Sequence, residues 1–362
     1  MTTSATLIIK KLLIVFLVAA GLYYAKDFLI PLAIGGVLAT LFLPVCKRME
    51  AKKVSKGLAV LICLLLFLLT IAFVGALLGW QVASLARDFA LLKQKSIETF
   101  NHLQEYIFNH IGISTEKQSQ ILNQDQPGVT AIMKMVAGSL LSVFINFIFV
   151  LAYMFLFLYY RGHILNFFLQ LSIPGQKTEM RQILYSISHV SQQYMLGLAK
   201  MIICLWIMYS IGFTIMGVKN AFFFAILCGL LEIVPFIGNI TGTTLTALVS
   251  LVQGAGIPML VGIIGTYAII QFIQGWVLEP LILGPQVKIN PFATVIVLVL
   301  GELLWGIPGV FLAIPLTAMV KIVCDHIDPL KPYGFLIGKI ETGKAEPGFI
   351  KKIRNRYKTT QH

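Results

Sequence analysis

Apolar residues run through this chain in long blocks separated by short polar breaks. The blocks cover Leu7 to Ala25, Phe28 to Cys46, Gly57 to Val82, Met135 to Tyr160, Leu196 to Met216, Ala221 to Val252, Ile257 to Leu278, and Pro291 to Lys321. Each matches or exceeds the roughly 20 apolar residues that an α-helix needs to cross a bilayer. Counting each block once predicts eight crossings, and re-entrant segments would give the same count. Lys10 and Lys11 open the first block in the charge order of a signal peptide, but a second block follows at once. A retained first helix is therefore expected.

Two polar intervals have helical periodicity of their own. Between Ser84 and Lys134 the charges balance, and Leu85, Phe89, Leu92, Phe100, Leu103 and Ile107 recur at three- and four-residue steps on average. That interval is expected to be a small extramembrane helical segment or an extension of the third span, with an oligomer contact or a lid as its functional reading. From Pro174 to Met195 a second amphipathic stretch suits the membrane surface. The chain thus divides into spans one to three (residues 1–83), the extramembrane segment (84–134) and span four with its interfacial connector (135–195). A transport core (196–321) and a basic tail (322–362) follow. The fold class expected is an all-α integral membrane protein of about eight apolar segments.

Composition agrees. Hydrophobic residues make up 58% of the chain and charged residues 12%, with a mean hydropathy of +0.87; soluble domains run near about 45–50% and about 25%. The net charge of +13 would suit nucleic acid if it were spread over a soluble surface, but it is not. Lys47, Arg48, Lys52, Lys53 and Lys56 crowd one short loop, and Lys351, Lys352, Arg354, Arg356 and Lys358 crowd the tail. Basic clusters flanking apolar spans mark cytoplasmic loops, which puts both termini on the cytoplasmic side and argues against a nucleic-acid partner. The five cysteines sit mostly inside apolar blocks without a C-x-x-C pair, and read as small buried hydrophobes.

Two blocks, 221–252 and 291–321, are longer than one span requires, and each is interrupted. The first reads "GLLEIVPFIGNITG" and the second "GELLWGIPG". Proline removes a backbone donor and clashes with the preceding turn, so Pro235 and Gly238 in the first block, and Gly306, Pro308 and Gly309 in the second, are expected helix breaks. Pro280, Gly284 and Pro291 mark further hinges between the blocks. Interrupted apolar segments point to a binding site near the middle of a transporter, although kinked helices packed through glycines give the same pattern. Glu232 and Glu302 each sit at a break. A charge at a helix centre costs about 2.5–3.5 kcal/mol on insertion scales, so both are expected to face protein or water. Asn239, Gln271, Gln274, Glu279 and Asn290 are candidate polar ligands for the same cavity; Glu279 also fits an interfacial position near a span end.

Other chemistry is missing from the sequence. It has no G-x-x-x-x-G-K-[ST] loop for ATP, no histidine spacing for a metal and no G-x-S-x-G nucleophile, so neither an enzyme nor a cofactor is expected.

"GLLEIVPFIGNITG", "EPLILGPQVKINPF" and "GELLWGIPGVFLAIPLTAMVK", in this order and spacing, resemble the AI-2E family of transporters, which includes PerM-like permeases. The resemblance is strongest from Leu196 to Lys321. It implies a bacterial inner-membrane protein of about eight spans, a homo-oligomer, and export of the quorum-sensing signal autoinducer-2 or sodium/proton antiport. Two positions depart from the family pattern: Asn290 stands where many members have a histidine before the proline, and Leu198 where a glutamine often follows the glycine. The first departure puts proton coupling in question.

Three functions fit. The leading one is secondary transport of a small polar organic solute by alternating access, with H⁺ or Na⁺ as possible coupling ions. The second is cation/proton antiport through the same acids. The third is a membrane scaffold acting through the segment from Ser84 to Lys134.

Overall fold

A computed structural model describes residues 2–87, 129–172, 175–235, 237–284 and 288–339. The segment expected to lie outside the membrane therefore falls almost wholly outside the described residues, as does the tail beyond 339. Eleven α-helices cover most of the described chain: α1 (Thr2–Tyr24), α2 (Lys26–Ala51), α3 (Lys56–Arg87), α4 (Val129–Leu171), α5 (Lys177–Ile215), α6 (Ala221–Leu231), α7 (Ile237–Val252), α8 (Ile257–Ile273), α9 (Pro291–Trp305), α10 (Ile307–His326) and α11 (Lys331–Ile337). α8 continues into a π-helical segment, Gln274–Leu283. Among the described residues six helices are long and apolar enough to cross a membrane, and shorter apolar helices lie between them. The protein is an all-α, multi-pass membrane protein.

Its outer surface is apolar. Phe16, Phe73, Phe144 and Trp276 are all more than half exposed, which suits contact with acyl chains and would be untenable in water. Inside, α5 is the central post. Leu205, Tyr209 and Phe213 on its second half pack with Phe224 of α6 and Ile263 of α8. Tyr194 and Met195, nearer its middle, pack with Val37 of α2 and Leu312 of α10. The stretch expected as a separate interfacial connector, Pro174 to Met195, runs into span five within this one helix from Lys177 onward. No proline or glycine interrupts the chain between Lys177 and Gly197, and Gly197 itself seats against Ile282 and Leu283.

Both interrupted blocks fold back on themselves as antiparallel helix pairs. In the first, α6 and α7 approach so closely that a Cβ on Gly238 would collide with the Leu231 carbonyl, and one on Gly242 would meet Cys228 at 2.8 Å. Within the described part of the turn between them, Ile233 and Val234 donate to the carbonyls of Leu230 and Leu231 at 3.2 and 2.9 Å, and Gly238 to Val234 at 3.0 Å. That internal pairing is what a chain break inside hydrocarbon requires. In the second block, Gly306 adopts φ 63° and ψ −145°, open to glycine but not to a residue with a Cβ. Past that turn Gly301 and Gly309 bring α9 and α10 into backbone contact. At 15 residues α9 rises about 22 Å, short of a bilayer core of about 30 Å.

The bases of the two hairpins lie toward opposite ends of α5. The base of the first lies beside Phe213, Met216 and Val218, where α5 ends. The base of the second, at Ile289 and Ala293, packs on Val190 in the first half of α5. There Asn290 caps α9, its side chain accepting from the Ala293 amide at 2.7 Å and donating to the carbonyls of Leu336 and Gly338 at 2.7 and 2.9 Å.

Two stability predictions follow from this packing. Gly309→Ala forces α9 and α10 apart and is expected to cost about 1–3 kcal/mol, read as a lower thermal midpoint of the purified protein; Gly265→Ala, whose Cβ meets nothing within 4 Å, leaves it unchanged or slightly raised. Asn290→Ala removes the cap and strands two carbonyls, a loss of about 1–2 kcal/mol on the same measurement.

Candidate functional site

The turn after α6 carries Glu232, and that carboxylate is buried. Gln274 donates to its Oε1 at 2.5 Å from the point where α8 widens into the π-helical segment. Asn239, two residues into α7, donates to Gln274 at 3.3 Å and to Gln271 at 3.2 Å. Gln271 donates in turn to the Tyr267 hydroxyl at 3.3 Å. One hydrogen-bonded chain therefore joins the tip of the first hairpin to one face of α8.

Local sequence explains why these groups converge. Tyr267, Gln271 and Gln274 are spaced four and three apart and so share a helix face. Pro280 has no amide hydrogen and its ring crowds the carbonyl four residues back. The backbone answers with wider, five-residue bonding, seen where Gly284 donates to the Glu279 carbonyl at 2.8 Å. This widening brings Gln274 within reach of the Glu279 side chain five residues on. π-Bulges of this kind occur often at functional sites.

A second row of polar groups leads away from Glu232. Asn239, Thr243, Thr246 and Ser250 lie on one face of α7 and all four are buried. Thr246 returns its hydroxyl to the Gly242 carbonyl at 2.7 Å. Glu232 Oε2, Asn239 Oδ1 and Ser250 Oγ are buried without a hydrogen-bond partner among the described residues, while the Tyr209 hydroxyl and Thr243 Oγ1, also buried, face each other without a well-formed bond. Each such group costs about 1–3 kcal/mol when left dry. Glu232 Oε2 and Asn239 Oδ1 are acceptors, while the three hydroxyls can donate or accept.

The structure thus brings together four of the residues expected to bind: Glu232, Asn239, Gln271 and Gln274. Glu279 lies beside Gln274 but is exposed on the outside of the chain. Asn290 stands apart, its amide committed to capping α9 and holding the segment after it. Glu302 is exposed on α9, and no hydrogen bond or packing cluster joins it to Glu232 among the described residues. Of the expected breaks, Gly238 and Pro235 bound the first turn, Gly306, Pro308 and Gly309 the second, and Pro280 and Gly284 the π segment, with Pro291 opening α9. Sequence reasoning passed over Thr243, Thr246, Ser250, Tyr209 and Tyr267. The first three were detectable, since with Asn239 they repeat at steps of four, three and four.

No group of histidine, cysteine, aspartate and glutamate with metal-binding geometry occurs among the described residues.

Comparison with known proteins places this architecture. The chain is 26% identical over 340 residues to "Putative transport protein YueF" of Bacillus subtilis, covering 87% of this chain and 90% of that one. It is 25% identical over 350 residues to "Putative transport protein YhhT" of Escherichia coli K12, covering 94% and 97%. Against "AI-2 transport protein TqsA" of the same organism it is 23% identical over 325 residues, covering 90% and 93%. The family model described as "AI-2E family transporter" matches residues 12–328. With interrupted apolar helices, a buried polar core and this match over nearly its whole length, the chain belongs to the AI-2E transporter family.

Proposed function

We propose that this transporter moves a small polar organic solute by alternating access, with Glu232, Asn239, Gln271 and Gln274 as its binding centre. The observation that carries the reading is the buried row of unpartnered oxygens from Glu232 to Ser250. Acceptors at one end and hydroxyls along the rest suit a compact solute rich in hydroxyl groups. A relative named as an AI-2 transport protein makes autoinducer-2 the first solute to try, with export from a bacterial cell across its inner membrane as the direction. The termini are assigned to the cytoplasmic side, where the basic residues collect.

Two helical hairpins with bases toward opposite ends of α5 support alternating access, because each can open the centre to one side while the other stays closed. Glu302 is given no contact with the solute. An exposed carboxylate is costly against lipid, so its face of α9 is assigned to water or to a neighbouring copy in a homo-oligomer.

Cation/proton antiport is the second reading, favoured by one observation: Glu232 is buried and bonded to a neutral amide, with no cationic partner among the described residues. Such a carboxylate can exchange a proton for Na⁺. In either reading H⁺ or Na⁺ is the candidate coupling ion.

Flux of autoinducer-2 into proteoliposomes, with and without Na⁺ or pH gradients, tests the proposal. Saturable flux is expected, reduced about tenfold to a hundredfold by Glu232→Gln, the size of a hydrogen bond lost from a charged group. Glu302→Gln is expected to stay within about twofold of the unaltered protein. Full flux in Glu232→Gln overturns the assigned centre. Gradient-driven ion movement with no organic flux transfers the site to antiport, and neither signal favours the scaffold.

A further inference from the structure

A cleft of about 520 Å³ opens between α2, the last third of α4 and the first half of α5, well removed from the Glu232 centre in sequence and sharing no residue with it. Its walls are apolar, with Leu43, Pro44, Phe157, Leu165, Phe168 and Leu184 among them. Its rim is cationic: Lys47, Arg161 and Arg181 line it, and no aspartate or glutamate does. Arg161 is already engaged, pairing with Glu50 and donating to the Cys46 sulfur at 3.2 Å. Lys47 and Arg181 are exposed and form no ion pair among the described residues.

Position sharpens the chemistry. Lys47 lies near the C-terminal end of α2, where the apolar span gives way to the basic cluster that runs on through Lys56. Tyr185, amphipathic and 65% exposed, stands at the same opening. An apolar cleft lined also by two unpaired cations matches a molecule that has an anionic head and a hydrocarbon tail. Basic pockets between membrane helices on the cytoplasmic side bind anionic lipid headgroups for this reason. The Glu232 centre differs in kind, since it presents acceptors and hydroxyls and no cation. The Arg161–Glu50 pair joins α4 to α2 here, and Thr40 of α2 donates to the Ser191 hydroxyl of α5 at 2.9 Å, so an occupant would lie among three helices already tied to one another.

We propose that this cleft binds one anionic glycerophospholipid of the bilayer, with an acyl chain along Leu43, Phe157 and Leu165 and its phosphate between Lys47 and Arg181.

The full-length protein, purified in mild detergent, is incubated with phosphatidylglycerol or with phosphatidylcholine of the same chains, and bound lipid is counted by native mass spectrometry. Phosphatidylglycerol is expected to be retained at least about fivefold better, the size of one cation's attraction for an anionic lipid. The double variant Lys47→Gln, Arg181→Gln is expected to lower its retention roughly twentyfold, each cation contributing about fivefold. Gly162→Phe gives an independent check. Gly162 lines the cleft, and a Cβ there meets nothing within 4 Å, so a larger side chain can start from this position into the cleft. It is expected to displace the lipid while both charges remain. Equal retention of the two lipids overturns the proposal, as does retention untouched by either variant. Glycerol phosphate binding as tightly as the lipid would also overturn it, reducing the cleft to a simple anion site. So would loss of a second copy of the chain, rather than of lipid, when the cleft is filled.

Discussion

A backbone broken inside an apolar layer must find partners for its amides and carbonyls within itself. That constraint shapes the transport core. Where Pro235 interrupts the first block, Ile233 and Val234 close short bonds onto Leu230 and Leu231, and the chain turns back along α6. The return path is open only because Gly238 and Gly242 let two backbones touch. Near Gly306 the same arrangement recurs with Gly301 against Gly309. Each hairpin therefore pairs part of its own turn and packs its two arms through glycine contacts.

The tip of the first hairpin makes the more consequential contact. Glu232 is fixed by Gln274, which sits where Pro280 has forced a helix to widen. A break in one element thus meets a distortion in another. Asn239 ties the two together through Gln271 and Gln274, and the buried polar face of α7 runs on from there toward the hairpin's base. In the proposed cycle this is the part that must change partners. Its hydrogen bonds are few and its unpartnered oxygens many, so an arriving solute can replace protein contacts at small net cost.

Much of this was legible from sequence. Block lengths gave the membrane class, and the proline and glycine pairs located both turns, because helix breakers act locally. Glu232 and its amide partners were recoverable because polar groups are rare in such surroundings. Glu302 resembled Glu232 in every local respect, yet it is exposed and apart from the centre; which face of α9 turns inward depends on packing with α10, a tertiary matter. Asn290 read as a ligand but is a cap, since the carbonyls of Leu336 and Gly338 that it holds lie nearly fifty residues away. The join of the amphipathic connector to span five was hidden by a change from amphipathic to apolar character within one continuous helix.

If the polar face of α7 lines the proposed path for solute, cysteine labelling along that face detects it. In a background lacking the five native cysteines, Thr243→Cys is treated with a membrane-impermeant thiol reagent beside Leu245→Cys, which points to the outer, lipid-facing surface at 41% exposure. The account predicts that Thr243→Cys reacts during turnover and is slowed by saturating autoinducer-2, while Leu245→Cys stays inert. A Thr243→Cys that never reacts, or that reacts at a rate no solute alters, would contradict it.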